Sequence, residues 1–404
     1  MKKISSMLTP DQRRLSISRS IFIGLGFLII TATWTLYNAY VPIFLKKFIQ
    51  GETLIAFIMT LDNIAAITLQ PFFGALSDDT NTRFGHRLPF ILIGAPIAAV
   101  FYALIPLANN FILLITVIAI MNLAMSVFRS PTVALMPDLT PAKMRSKANG
   151  IINFMGGLGA TFILFGGSYL YDINPVFPFV LLSVLLIIIT LLYLFKLKEP
   201  EKTVSEERIH IIEVIKDIFS IKNRNVLFVL LAIFFWFFGY SAVETFFTLY
   251  GTEFLMIKES AAAMSLSFFS GSFLFFAIPS GYIAILLGRK KIIKTGIIGL
   301  LATFGALVFL RDVLLIRIFL AFGGVFWAFI NINSYPIIAD AAGKKIGAYT
   351  GVYYLFSTLP AILSPLLIGW FLEHVGYHTL FIYAVVAFMI ALFFMMKVKN
   401  RENE

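Results

Sequence analysis

The 404-residue sequence contains no cysteine, which excludes disulfide staples, thiolate metal sites and a cysteine nucleophile. Charge is nearly as scarce. Asp, Glu, Lys and Arg together make up 13% of the chain, about half the share that coats an ordinary soluble domain. Only four histidines occur, His86, His210, His374 and His378, scattered over loops, so no histidine acid–base centre or zinc site is expected. All four read as solvated loop residues. No glycine-rich phosphate loop is present either, so nothing in the chain points to ATP hydrolysis. No catalytic residue, metal or cofactor is expected. What fills the sequence instead is hydrophobic, with 59% apolar and 16% aromatic residues.

A membrane-spanning helix needs about 20 apolar residues. Twelve stretches qualify, near 20–42, 53–76, 89–109, 110–137, 147–171, 175–197, 224–250, 260–287, 291–310, 312–338, 345–370 and 376–397. The expected fold class is therefore all-α and integral to the lipid bilayer, with twelve transmembrane helices. The first span is too long for a signal-peptide core and lacks a small-residue cleavage site, so it is expected to stay as an anchor.

The net charge of +11 would suggest a nucleic-acid partner in a soluble protein. Its placement says otherwise. Twenty-six of the 32 Lys and Arg residues fall in the N-terminal segment and in every second loop after it. The alternate loops hold only Lys46, Lys47, Lys258 and Arg311, while Arg129 and Arg317 lie inside spans. The positive-inside rule then puts both termini in the cytoplasm of a multi-pass protein of the cell (inner) membrane. Basic character here reports topology, and no nucleic acid is expected to bind.

Hydropathy collapses between Lys196 and Arg224, where Ile211, Ile215, Ile218 and Phe219 share one helical face. That pattern reads as an amphipathic cytoplasmic linker over 198–223, between an N-terminal bundle over 1–197 and a C-terminal bundle over 224–404. The halves answer each other at a shift of about two hundred residues: Trp34 to Trp236, Asp138 to Asp340, Gly150 to Gly351, Asp172 to Glu373. Two pseudo-symmetric six-helix bundles are the architecture this repeat implies, with a binding site near the midplane.

The stretch Gln70–Phe90, QPFFGALSDDTNTRFGHRLPF, breaks an apolar run with an Asp pair and a short basic loop. A helix C-terminus repels carboxylates, so Asp78 needs a cationic partner, and Arg83 and Arg87 are nearest. Asp79 and Asn81 read as solvated connector. The arrangement G-x-x-S-D followed by R-F-G-x-R, carried by Gly74, Asp78, Arg83, Gly85 and Arg87, resembles the cytoplasmic loop between helices 2 and 3 of the major facilitator superfamily. In that family the loop latches one conformational state. The second half, from Ile278 to Lys291, keeps Gly281 and the basic cluster but has Ile285 where Asp78 would match, so the latch is expected to be stronger on the N-terminal side.

Polar residues recurring at helical spacing inside a span mark a face turned away from lipid. Span 1 carries Thr31, Trp34, Thr35 and Asn38; span 2 Asp62 and Gln70; span 4 Asn122, Ser126 and Arg129; span 7 Trp236, Tyr240 and Glu244; span 10 Trp327, Asn331 and Ser334. Amides that donate and accept, beside aromatic faces, suit a sugar's hydroxyls and apolar ring faces. Thr31, Ser126 and Ser334 serve equally well as glue between helices. Arg317 reads as a snorkelling residue near Asp312. Asp62, Glu244 and Arg129 together would cost on the order of 8 to 10 kcal/mol in the bilayer interior unless paired or hydrated. A carboxylate that alternates between dry and wet surroundings, or gains and loses an Arg partner, binds and releases a proton, which makes these three the candidates for proton coupling. Asp62 ranks narrowly above Glu244, with Arg129 its favoured charge partner; a static Asp62–Arg129 pair is the structural alternative.

The runs DNIAAITLQPFFGALSDDTNTRFGHRLPF and FRSPTVALMPDLTPAKMRSKANG resemble the sucrose/proton symporter branch of the glycoside-pentoside-hexuronide:cation symporters, within the same superfamily. The resemblance implies uptake of a glycoside driven by a cation gradient, by alternating access and without catalysis, with a small-molecule sugar and protons as partners and a monomer as the functional unit. Two departures bear on coupling. Asn122 and Val133 stand where plant sucrose carriers have Asp and Arg, and Ala66, Gln70 and Arg129 where melibiose-type carriers place the Asp residues of their sodium site. Proton-driven drug efflux and sugar uniport remain the competing readings.

Overall fold

In lipid a backbone can satisfy its own N–H and C=O groups only by coiling, so long apolar runs become helices. The computed structural model describes residues 17–140, 145–197, 199, 224–341 and 346–398. Twelve long helices appear among the described residues: α1 (Ile17–Lys46), α2 (Glu52–Asp79), α3 (Leu88–Leu104), α4 (Phe111–Leu139), α5 (Arg145–Ile173), α6 (Phe177–Lys196), α7 (Arg224–Leu249), α8 (Glu259–Leu287), α9 (Arg289–Leu307), α10 (Val313–Ala341), α11 (Ile346–His374) and α12 (Thr379–Lys397). Eleven are long and apolar enough to cross a membrane. The exception is α9, because Arg289, Lys290, Lys291 and Lys294 occupy its first two turns and leave a shorter apolar rod than the span expected over 291–310. Apart from Glu199, the linker expected over 198–223, with its amphipathic face and His210, lies outside the described residues.

The sequence repeat is a repeat of packing. In the first half α3 lies against α4 and α6, and α5 against α4 and α6; in the second, α9 lies against α10 and α12, and α11 against α10 and α12. Even the close approach between helices recurs. A Cβ on Gly94 would come within 2.9 Å of the Ala124 carbonyl oxygen and 2.8 Å of Phe128 Cβ; one on Gly296 would come within 2.8 Å of the Phe326 carbonyl oxygen and 2.7 Å of Ile330 Cγ1. All three positions move by the same 202 residues. Small residues let two backbones touch where hydrophobic burial cannot drive association.

Polar side chains buried between helices bond backbone. Tyr193 on α6 accepts from the Gly26 N–H at 2.8 Å and donates to the Ile23 carbonyl at 2.8 Å, tying α6 to α1. Ser364 on α11 donates to the Phe238 carbonyl at 2.5 Å and lies 3.2 Å from Tyr383 on α12, tying α7, α11 and α12. The compact units do not coincide with the repeat: one is Met1–Tyr37 with Ile64–Val204, the other Asn38–Asn63 with Ser205–Glu404. The turn between α1 and α2 joins the second unit because α11 and its following loop hold it. The Glu373 carboxylate accepts from the Thr53 N–H at 3.0 Å, and the Tyr377 hydroxyl donates to Glu52 at 2.8 Å.

Candidate functional site

In the first unit the α2–α3 loop closes into a charge network. Gly85, at φ +105°, is required twice over: L-residues rarely adopt that conformation, and a Cβ there would stand 2.5 Å from the Glu199 carboxyl. Thr82 and Gly85 exchange backbone hydrogen bonds at 3.3 and 3.0 Å, which turns the chain back toward α2. Arg87 is thereby carried under the end of α2, its side chain only 7% exposed. Its guanidinium pairs with Asp78, donates to Asp138 at 2.9 Å and to Ser77 Oγ at 2.5 Å, and reaches the Gly74 carbonyl at 3.3 Å. Gly74 leaves room for α4, since a Cβ would lie 2.7 Å from Ser130 Oγ. Of the two expected partners of Asp78, the structure selects Arg87. Arg83 is exposed and lies over the Phe84 ring, 4.6 Å from its centroid.

Three members of this network were not anticipated. Glu199, 2% exposed, accepts from the N–H groups of His86 (2.7 Å), Arg87 (2.9 Å) and Leu88 (2.7 Å). A carboxylate there satisfies donors that the first turn of α3 cannot satisfy itself, at the positive end of the helix dipole. His86 is no solvated loop residue. Its ring sits between Glu199, 2.9 Å from Nδ1, and Asp138, 3.3 Å from Nε2. In the sequence Asp138 reads only as a repeat marker; in the structure it joins α4 to Arg87. In the second half the loop shrinks to Gly288, and Arg289 pairs with Asp340 at the same 202-residue offset, but with both side chains largely solvated, 42% and 62% exposed.

At the opposite end of α2, in the second unit, Glu52 is buried, paired with Lys46 and hydrogen-bonded by Tyr377. Burial and the Glu52 carboxylate push the Tyr377 phenol well up from its ordinary range.

Mid-helix, the first unit holds Trp34, Gln70, Asn122 and Arg129. The Arg129 guanidinium lies 5.9 Å from the Trp34 ring centroid, and Tyr37 meets that ring edge-on at 5.3 Å. Trp34 Nε1 and Asn122 Oδ1 are buried and find no partner among the described residues. An orphan donor and an orphan acceptor suit a hydroxyl or a water, which supplies both roles.

The second unit holds Asn38, Asp62, Trp236, Tyr240, Glu244, Trp327 and Asn331. Glu244 accepts from the Tyr240 hydroxyl at 3.3 Å and is hydrogen-bonded by the Asn38 side chain, both neutral donors. Among the described residues no cation pairs with it. Asp62 accepts from the N–H and side-chain amide of its neighbour Asn63, at 2.7 and 2.9 Å, and is engaged beyond that pair. Two expected sugar platforms are closed. Trp236 is fully enclosed, and Trp327 is covered by Tyr240, stacked at 4.4 Å and 7°, with Phe237 edge-on at 5.4 Å. Steps of four residues drift by about 40° each, so Trp236 lies about 80° around α7 from Glu244 and turns into the bundle. Asn331 is half-buried, its carbonyl accepting from Ser334 at 2.9 Å. Arg317 is held inward by Ser265 Oγ at 3.2 Å, while Asp312 caps α10 through the Leu315 N–H at 2.9 Å. Among the described residues no group of three or more His, Asp and Glu side chains is placed to hold a metal ion.

A family model described as the Major Facilitator Superfamily matches residues 23–263 and 252–404. Among solved structures, a nucleoside transporter, NupG in a point-variant form, superposes with a TM-score of 0.76 at 14% identity, covering 94% of this chain and all of that one. A bacterial homologue of the human lysosomal transporter Spinster, inward-facing and occupied, gives 0.75 at 12% identity over 94% of this chain and 96% of its own. A D-xylose–proton symporter gives 0.70 at 15% identity over 96% and 98%.

Proposed function

The chain belongs to the major facilitator superfamily and is a transporter, not an enzyme, and from that premise we propose that it takes up a sugar or glycoside together with protons, by alternating access. The observation that carries the coupling half of this reading is Glu244. A mid-helix carboxylate held by two neutral donors, Tyr240 and Asn38, costs several kcal/mol as an anion in hydrocarbon surroundings unless it binds a proton. Asp62, whose carboxylate is already engaged by Asn63, ranks second, and Arg129 is the third candidate for coupling. Within the first unit the orphan Trp34 indole and Asn122 amide, with Gln70 as a further polar group and Arg129 close to the Trp34 face, support a hydroxyl-rich substrate; Asn38 and Asn331 offer polar groups of the second unit.

The Gly74, Asp78, Gly85, Arg87 network acts as the latch that closes the loop side, which the positive-inside rule makes cytoplasmic. Arg83 contributes positive charge to that loop rather than a bond to the latch. In this reading the protein works as a monomer in the cell (inner) membrane, both termini inside, and belongs with the sucrose/proton branch that its two N-terminal sequence runs resemble. Solved carriers of a nucleoside and of D-xylose share the fold. The self-stacked aromatics Phe237, Tyr240, Phe269 and Trp327 favour a second reading, proton-driven efflux of an aromatic or apolar compound. Uptake of labelled mono- and disaccharides into proteoliposomes, with and without an imposed pH gradient, separates them: pH-driven accumulation of one sugar supports symport, pH-independent equilibration means uniport, and no sugar flux turns the case to efflux.

A further inference from the structure

We propose that His86 is a second proton-binding site, separate from the mid-helix carboxylates, and that its proton sets the strength of the α2–α3 loop network. Both ring nitrogens face carboxylate oxygens: Nδ1 lies 2.9 Å from Glu199 and Nε2 3.3 Å from Asp138. Neutral imidazole carries one N–H, so one of those contacts would set a lone pair against an anion. Imidazolium donates to both. Histidine is the side chain that changes charge between pH 5 and 8, and four charged groups of the described residues are set around this one. Asp78 faces the cluster from α2, Arg87 from the loop, Asp138 from α4 and Glu199 from the chain after α6, with Arg83 solvated nearby.

With the proton bound, two cations meet three carboxylates; without it, the Arg87 guanidinium pairs with Asp78 and Asp138 and Glu199 keeps only backbone N–H donors. Because the protonated form gains partners in the assembled network, binding the proton tightens the network and losing it loosens the network. Glu199 is the element released, and with it the backbone bonds to His86, Arg87 and Leu88 at the start of α3. The effect on transport rests on the latch reading above; the proton site itself does not.

Hydrogen exchange over residues 84–90, corrected for intrinsic rate, tests the site in purified full-length protein at pH 6 and pH 8. Loss of one charge-assisted bond should speed exchange about tenfold at pH 8. His86→Arg, a permanent cation, should stay protected at both pH values, and His86→Gln should exchange fast at both. Equal protection of the wild type at both pH values, or an undiminished pH response in His86→Arg, would overturn the proposal. Transport by His86→Arg separates the two levels: altered pH dependence of flux alongside pH-independent protection supports both, while unchanged flux leaves the proton site standing and removes the latch.

Discussion

Arg87 and Arg289 occupy matching places in the repeat, yet the structure assigns them different weights. Removing the Arg87 side chain leaves Asp78 without its cation and Asp138 with His86 alone, and strips donors from Ser77 and the Gly74 carbonyl. Breaking a fully buried pair from one side costs about 3 to 5 kcal/mol. Asp78 is 54% and Asp138 25% exposed, so water recovers part of that, and Arg87→Ala should cost about 2 to 3 kcal/mol. The Arg289–Asp340 pair is solvated on both sides, and Arg289→Ala should cost under about 1 kcal/mol. Arg87→Lys should recover less than half of the loss, because an ammonium cannot reproduce the planar fork that meets Asp78 and Asp138 together. Equilibrium unfolding in a denaturing-detergent titration, followed by tryptophan fluorescence, reads all three. Losses at the two arginines within about 0.5 kcal/mol of each other would refute the argument that burial around Arg87 makes the N-terminal network the stronger one.

Other consequences are independent of that comparison. Gly85→Ala forces a Cβ into the Glu199 carboxyl at a strained φ, and should lower unfolding stability by about 1 to 3 kcal/mol, whereas Gly281→Ala, with open space around it, should be neutral or stabilising. Asp78→Asn weakens the pair with Arg87 and should raise labelling of a single cysteine introduced on the loop side, against no native thiol background; unchanged labelling of folded protein would remove the latch. Sugar binding should change the fluorescence of Trp34 and not that of enclosed Trp236 or of Trp370, which stacks on His374 at 4.8 Å. A signal lost on replacing Trp370 alone would contradict the assigned site.

The helices were legible because spanning length leaves no other way to satisfy a backbone in lipid, and the α9 exception was visible in its four basic residues. The pairing of Asp78 with one of two arginines was legible too. What chose Arg87 was not, because the choice depends on the turn that Gly85 makes and on carboxylates 51 and 112 residues away in sequence. One signal went unused: Arg87 and Arg289 share the 202-residue offset of Asp138 and Asp340, so the repeat already contained both ion pairs. Glu199 carried no such mark, standing in a run of charges where any glutamate looks solvated. The polar stripes identified faces but not their neighbours, which is why Tyr240 and Glu244 meet while Trp236 turns away.

The central claim is that Glu244 carries the coupled proton. Proteoliposomes containing wild type or Glu244→Gln, given a labelled sugar and an inward proton gradient, test it most directly when uphill accumulation and exchange between preloaded vesicles are measured side by side. The wild type should concentrate the sugar, and Glu244→Gln should lose accumulation while keeping exchange. Accumulation by Glu244→Gln at the wild-type level would contradict the claim.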